Sequence, residues 1–216
     1  MWRDRIHAGE YLGELLAKMN IEHPYVLAIP RGGIVVGYPI AKILNCPLKP
    51  IISLKIKHPV FEEVAIGYIV ERGSPILGYK PTEELAGVPP FDVERSIERA
   101  MKESERRIIL YRKGEELPVL SSYDVVLVDD GLATGWTVQG AISYLNHENK
   151  PRRIILAIPV MPEKSYKNFS LKVAFVACPL IIEDYRFYAV SQGYNSFSQT
   201  PDDEVLKLLQ MAETFK

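Results

Sequence analysis

The chain has 216 residues, enough for one domain that buries roughly 70% of its unfolded surface in a single core. At 47% hydrophobic, 25% charged and 10% aromatic it cannot be a disordered, collagenous or coiled-coil chain. Twenty-six basic against 27 acidic side chains leave a net charge of −1, so no global electrostatic footprint points to nucleic acid or to an anionic membrane.

The two cysteines, Cys46 and Cys178, stand far apart in apolar surroundings and form neither a disulfide framework nor a zinc motif. The opening segment MWRDRIHAGEYLGELL lacks the apolar stretch of a signal peptide. No window approaches the run of about 18 apolar residues that a membrane span needs. These features describe a soluble cytoplasmic protein with no membrane contact.

In chain order, Tyr11, Leu12, Leu15, Leu16 and Met19 recur at helical spacing and predict an amphipathic helix over 8–19, ended by His23 and Pro24. An apolar run from Tyr25 to Ile29, a turn at Pro30 to Gly33 and a helix to about Leu44 read as strand, turn, helix. Leu48 to Ile56 is a second apolar run; Ala65 to Val70 with Pro75 to Tyr79 read as a hairpin. A strongly charged helix is expected over 92–112, with Ile97, Met101, Ile108 and Ile109 as its apolar face. Tyr123 to Val128 ends in Asp129 and Asp130, and a glycine-containing turn leads to a helix from Trp136 to about Asn146. Short strands at Ile154 to Val160 and Val173 to Ala177, a helix near Glu163 to Phe169 and a last helix over 202–214 complete the pattern. Strands alternating with helices predict an α/β fold, a central mostly parallel sheet covered by helices on both faces. The expected organisation is one domain over residues 1–216, with a small hood and a variable insertion or flap at about 58–118.

Ligands of an open parallel sheet bind beyond the carboxyl ends of its strands. Two strand-end turns stand out there. In the first, Gly131, Leu132, Ala133, Thr134, Gly135, Trp136 and Thr137 combine small residues, two hydroxyls and the start of a helix, which together describe a phosphate cradle. The preceding Asp129 and Asp130 suit a sugar diol, or a hydrated Mg²⁺ held through water, since a hard cation prefers oxygen. A phosphate, a diol and a divalent metal outline a ribose 5-phosphate. In the second turn, Arg31 offers a bidentate fork for phosphate, and Gly32 and Gly33 permit close backbone approach. Read on spacing alone, both turns also fit ordinary helix starts with solvated charges.

The segment VVLVDDGLATGWT, residues 125–137, resembles the phosphoribosyl pyrophosphate signature of type I phosphoribosyltransferases. AIPRGGIVVG, KIKHPVFEEVAIG, ERRIILYR, AIPVMP and YNSFSQTPDDEV extend the resemblance, over nearly the full length, to a little-characterised branch of that family. The resemblance implies transfer of ribose 5-phosphate from phosphoribosyl pyrophosphate to a nitrogenous acceptor, a purine- or pyrimidine-like base, with Mg²⁺ and release of pyrophosphate. It assigns Asp129 and Asp130 to the ribose hydroxyls, 131–137 to the 5-phosphate, and Arg31, Gly32 and Gly33 to a pyrophosphate loop that often holds a non-proline cis peptide. Lys55 resembles the branch's lysine, which would steady charge on departing pyrophosphate; Lys57 reads as a solvated charge. Magnesium would be held through substrate and water, with no direct protein ligand.

Ala133 stands where 6-oxopurine enzymes carry an aspartate, so the loop is more similar to the adenine type. The acceptor hood would draw on Tyr185, Phe187, Tyr188 and Tyr194, whose rings suit stacking on a flat base. The four histidines are scattered and are assigned no role. The family is often homodimeric. The competing function is a non-catalytic regulator that senses nucleotide or phosphoribosyl pyrophosphate. An RNA-binding form of it would need the basic residues of 92–113 as a face, but interleaved glutamates predict intrahelical pairs instead.

Overall fold

The computed structural model describes residues 1–78, 85 and 87–215. Tyr79, expected to end the hairpin, lies outside the described residues.

The chain opens with helix α1 (Arg5–Ala17), whose N-cap Asp4 accepts a hydrogen bond from the His7 amide. Strand β1 (Pro24–Ala28), helix α2 (Gly32–Leu44) and strand β2 (Leu48–Pro50) follow. The apolar run Leu48 to Ile56 then splits. Its first part joins the main sheet as β2, while Ser53–Lys57 becomes β3 of a separate antiparallel sheet with β4 (Ala65–Val70) and β5 (Ile76–Leu77). Helix α3 (Pro90–Arg112) leads to β6 (Asp124–Val128), α4 (Trp136–Tyr144) with a π turn over Leu145–Asn149, and β7 (Arg153–Ala157). The last elements are β8 (Val160–Pro162), α5 (Glu163–Ser170), β9 (Phe175–Ala177), β10 (Leu180–Ile182) and α6 (Asp202–Ala212).

The main sheet has the order β2-β1-β6-β7-β9, and every pairing in it is parallel. Both faces are covered, as the near-continuous apolar strands require. Val26, Ala28, Val126, Val128, Ile155 and Ala157 face α1, α2 and α6. Their neighbours Tyr25, Leu27, Val125, Leu127, Ile154 and Leu156 face α4, α5 and the β3–β4 hairpin. Helices α1 and α2 approach so closely that a Cβ on Gly9 would lie 2.3 Å from the Val36 carbonyl oxygen.

Helix α3 keeps Ile97 and Ile108 of its expected apolar face but not Met101 and Ile109. Met101 and Ile109 are 47% and 56% exposed, whereas Ser96, Ala100, Ser104, Ile108, Tyr111 and Arg112 are buried. Small residues let the helix lie close on β3 and β4, where its Ser104 hydroxyl donates to the Glu71 carbonyl at 2.7 Å. Near its end, Arg112 forms a buried bidentate pair with Glu71, and Glu71 also accepts from the Ile52 amide at 2.8 Å. This pair fixes the antiparallel hairpin, the helix and the end of β2 to one another. Arg112→Met leaves the Glu71 carboxylate buried without its cation, and urea unfolding is expected to show a loss of about 3–5 kcal/mol.

Candidate functional site

The parallel register sets Ala28 opposite Val128, so the loops that follow β1 and β6 leave the sheet side by side. They touch. A Cβ on Gly32 would fall 1.9 Å from Asp130 Oδ2, and one on Gly33 would fall 3.0 Å from the Val128 carbonyl oxygen. The Pro30–Arg31 peptide in the first loop is cis. The Arg31 guanidinium lies 3.7 Å from Asp202 at the start of α6, which also accepts from Arg106 and Tyr111 of α3.

The second loop is built to fit a tight shell. Gly131 packs under Val190, Leu132 donates its N–H to the Val160 carbonyl at 3.0 Å, and Gly135, at φ +76°, sits against the Phe169 ring. Ala133 and Thr134 are exposed at the loop's crest. No side chain caps the N-terminus of α4, so its first-turn N–H groups are left for an anion. Thr137 lines the adjoining cleft, and its carbonyl accepts from the Ser53 hydroxyl at 2.7 Å. The Trp136 ring turns away to pack on Tyr68, 6.1 Å between centroids, and on Gly78 of the hairpin. It joins the loop to the hairpin.

Asp129 and Asp130 stand at the floor of a cleft of about 590 Å³ between these loops, the end of β3 and helix α3. Burial and the neighbouring Asp130 charge push the Asp129 carboxyl well above its usual range, with Lys55 and Arg5 opposing. Burial also raises Asp130, but less freely, because Arg5 donates to its Oδ2 at 2.7 Å. Tyr194 donates its hydroxyl to the Asp130 carbonyl at 2.5 Å, and burial followed by the Asp130 charge raises its phenol.

Of the residues expected from sequence, the structure brings Arg31, Gly32, Lys55, Asp129, Asp130 and Thr137 into this one cleft. Lys57 lines it as well, yet is 63% exposed and paired with Glu62. The expected hood aromatics are elsewhere: Tyr185 and Tyr188 are 84% and 80% exposed, Phe187 packs with Trp2 and Val160, and none of the three lines the cleft. Arg5, Ser96, Gln199 and Thr200 line it without a motif to mark them, and so do Arg99, Glu103 and Arg107, which the sequence places only on the mixed-charge face of 92–113. The α3 residues were hidden by a correct reading, since Arg106 and Arg107 do pair with Glu103. Arg107 nonetheless also donates to the Pro30 carbonyl at 3.4 Å. His58 lines the cleft too, with Nδ1 accepting from the amides of Val60 and Phe61 and so shaping the turn after β3.

Residues 4–187 match the family model described as the phosphoribosyl transferase domain, and the chain belongs to that family. It is 33% identical over 214 residues to a Mycobacterium tuberculosis protein provisionally named a phosphoribosyl transferase, covering 98% of this chain and 47% of that one. The chain thus spans about half the length of the curated relatives it matches. It is also similar to the bifunctional protein PyrR of a Synechococcus strain, at 29% identity over 58% of this chain and 70% of the relative. Among solved structures, TT1426 from Thermus thermophilus superimposes with a TM-score of 0.77 at 32% identity, over 97% of this chain and 98% of the other. Among the described residues no helix is long and apolar enough to cross a membrane.

Gly32 has ordinary helical dihedrals, so a methyl there meets only the packing problem. Gly32→Ala must displace Asp130 or Arg5, and a cost of about 1–3 kcal/mol in chemical unfolding is expected; an unchanged midpoint would show that the two loops are less tightly apposed.

Proposed function

We propose that the chain is a phosphoribosyltransferase that moves ribose 5-phosphate from phosphoribosyl pyrophosphate to a small nitrogenous acceptor and releases pyrophosphate. The observation that carries this reading is the meeting of an uncapped helix start, a half-buried carboxylate pair and a cationic wall in one cleft on the carboxyl ends of parallel strands. Loop 131–137 would receive the 5-phosphate through backbone N–H groups and the hydroxyls of Thr134 and Thr137. Asp129 and Asp130 would accept the ribose hydroxyls. Arg31, with the close-packed Gly32 and Gly33, would receive the pyrophosphate, and Lys55 would balance the charge that builds on it as the glycosidic bond breaks.

The positive charge that develops on the sugar ring calls for a carboxylate pair beneath it and for exclusion of water. Positioning and electrostatics supply the catalysis, with no covalent link to the protein. Among the described residues no three metal-ligating side chains come together. Two adjacent carboxylates, one already held by Arg5, suit Mg²⁺ carried in by the substrate's oxygens and water. The ion would neutralise pyrophosphate charge when bound.

The acceptor is left to pocket shape, since among the described residues no Phe, Tyr or Trp lines the cleft. The reading includes the homodimer that the family resemblance implies, which sedimentation equilibrium would measure directly. A regulator that reads RNA finds little support: Glu103 engages Arg106 and Arg107, and Arg72 engages Glu105, leaving a face of mixed charge.

Calorimetric titration of phosphoribosyl pyrophosphate, with and without Mg²⁺, tests the reading. Micromolar Mg²⁺-dependent binding is expected, weakened about tenfold or more in Asp129→Asn and Asp130→Asn, since each loses charge-assisted hydrogen bonds. With the donor bound, pyrophosphate release should depend on the base supplied. Unaltered affinity in both variants would remove the carboxylates from the donor site.

A further inference from the structure

The residue in this cleft that no motif announced is Arg5. It is the first residue of α1, distant in sequence from both loops, yet its side chain is only 11% exposed. Nε donates to Asp130 Oδ2 at 2.7 Å, and Nη1 donates to the Ser198 carbonyl at 2.8 Å. The guanidinium carbon lies over the Phe197 ring, 3.8 Å from its centroid, a cation–π contact that helps hold the side chain in place. A Cβ on Gly32 would fall 2.8 Å from Nε, so the pyrophosphate-side loop closes the space on the other flank.

The stretch that holds Arg5 is itself stitched to the N-terminus. Trp2 donates its amide to the Gly193 carbonyl, Asn195 donates to the Trp2 carbonyl, and Ser196 donates to the Arg3 carbonyl, at 2.8, 2.8 and 3.0 Å. The Trp2 indole donates to the Pro159 carbonyl at 3.0 Å. Further along the same strap, Gln199 and Thr200 reach the cleft, and Tyr194 bonds the Asp130 carbonyl.

We propose that Arg5 is a positioning residue for the carboxylate pair: it occupies one oxygen of Asp130, aims the other at the ribose, and ties that geometry to the strap over residues 193–200. The proposal rests on the reading of Asp129 and Asp130 as the ribose-binding pair. It divides their labour. Asp130, held by a cation, stays the charged acceptor, while Asp129, which no cation bonds among the described residues, is the first of the two to take up a proton. The charged and titratable groups around the pair are Arg5 from α1, Lys55 from β3, Tyr194 from the strap and, across the cleft, Arg31, Lys57, His58, Glu62, Arg99, Glu103 and Arg107. Only Arg5 donates a side-chain hydrogen bond from a cation to either carboxylate among the described residues.

Removing Arg5 takes an opposite charge from Asp130, so the pair must ionise at higher pH. The test is a carboxyl-carbon NMR titration of the ligand-free wild type, Arg5→Met and Arg5→Lys, run beside calorimetry with phosphoribosyl pyrophosphate and Mg²⁺ at several pH values. Arg3→Met, which changes an exposed neighbour paired with Asp4, controls for loosening of the N-terminus. In Arg5→Met the ionisation midpoint of the pair should rise by about one pH unit or more, and donor affinity should fall about tenfold, the loss growing as pH is lowered. Arg5→Lys should recover the midpoint in part, since a point charge remains, but not the full affinity, since the fork is gone. Arg3→Met should leave both unchanged. A midpoint in Arg5→Met equal to wild type overturns the role of Arg5. Failure of the wild type to bind the donor instead overturns the reading of the site, whatever the midpoint does.

Discussion

Everything in the site follows from two loops being forced to share one small space. Because β1 and β6 are parallel and in register, with Ala28 beside Val128, their following loops emerge at the same level of the sheet. One brings carboxylates and the other must bring no side chain, since even a methyl on Gly32 would occupy the position of Asp130 Oδ2. The glycines are therefore demanded by the neighbour. Backbone freedom, the usual reason for glycine in a turn, does not enter at Gly32 or Gly33, for neither has a positive φ. Gly135 is different: its φ of +76° and the ring of Phe169 both exclude a side chain.

Packing two adjacent aspartates into that space has an electrostatic consequence. Burial and mutual repulsion both favour protonation, which would leave a neutral pair unsuited to binding hydroxyls strongly. The surrounding protein opposes this from two sides, with Arg5 bonded to Asp130 and Lys55 facing Asp129. The remaining cations line the walls. Arg31 is balanced by Asp202, and Arg107 by Glu103, so these two guanidinium groups are held in place by carboxylates of α6 and α3. Helix α3, anchored through the buried Glu71–Arg112 pair, forms the wall opposite the loops.

The sequence announced the parallel sheet because its strands are covered on both faces and hence unbroken in apolar character. The loop at 125–137 stands out through its resemblance to the phosphoribosyl pyrophosphate signature, since on spacing alone its acids, glycines and threonines also fit an ordinary helix start. Other features depended on distant partners. That Leu48 to Ile56 divides between two sheets is invisible in a uniform apolar run, since only the hairpin partner β4 decides where the break falls. The buried side of α3 was misjudged because Ser96, Ala100 and Ser104 are buried for their small size, while Met101 and Ile109 stand outside. Trp136 gave no sign of its packing on the hairpin, for Tyr68 and Gly78 are far away in sequence. Arg5 precedes the helix expected over 8–19 and carries no motif, although the structure begins α1 there. Its role comes from contacts spanning 125 and 193 residues, which no local pattern encodes.

The loops after β1 and β6, together with strand β3, would form a single donor site. Its most direct test is a crystal structure of the protein with phosphoribosyl pyrophosphate and Mg²⁺ bound. In that complex the 5-phosphate is expected on the amides of 131–137, the ribose hydroxyls on Asp129 and Asp130, and the pyrophosphate between Arg31 and Lys55. A donor bound with its phosphates away from loop 131–137, or with its ribose out of reach of both aspartates, would contradict it.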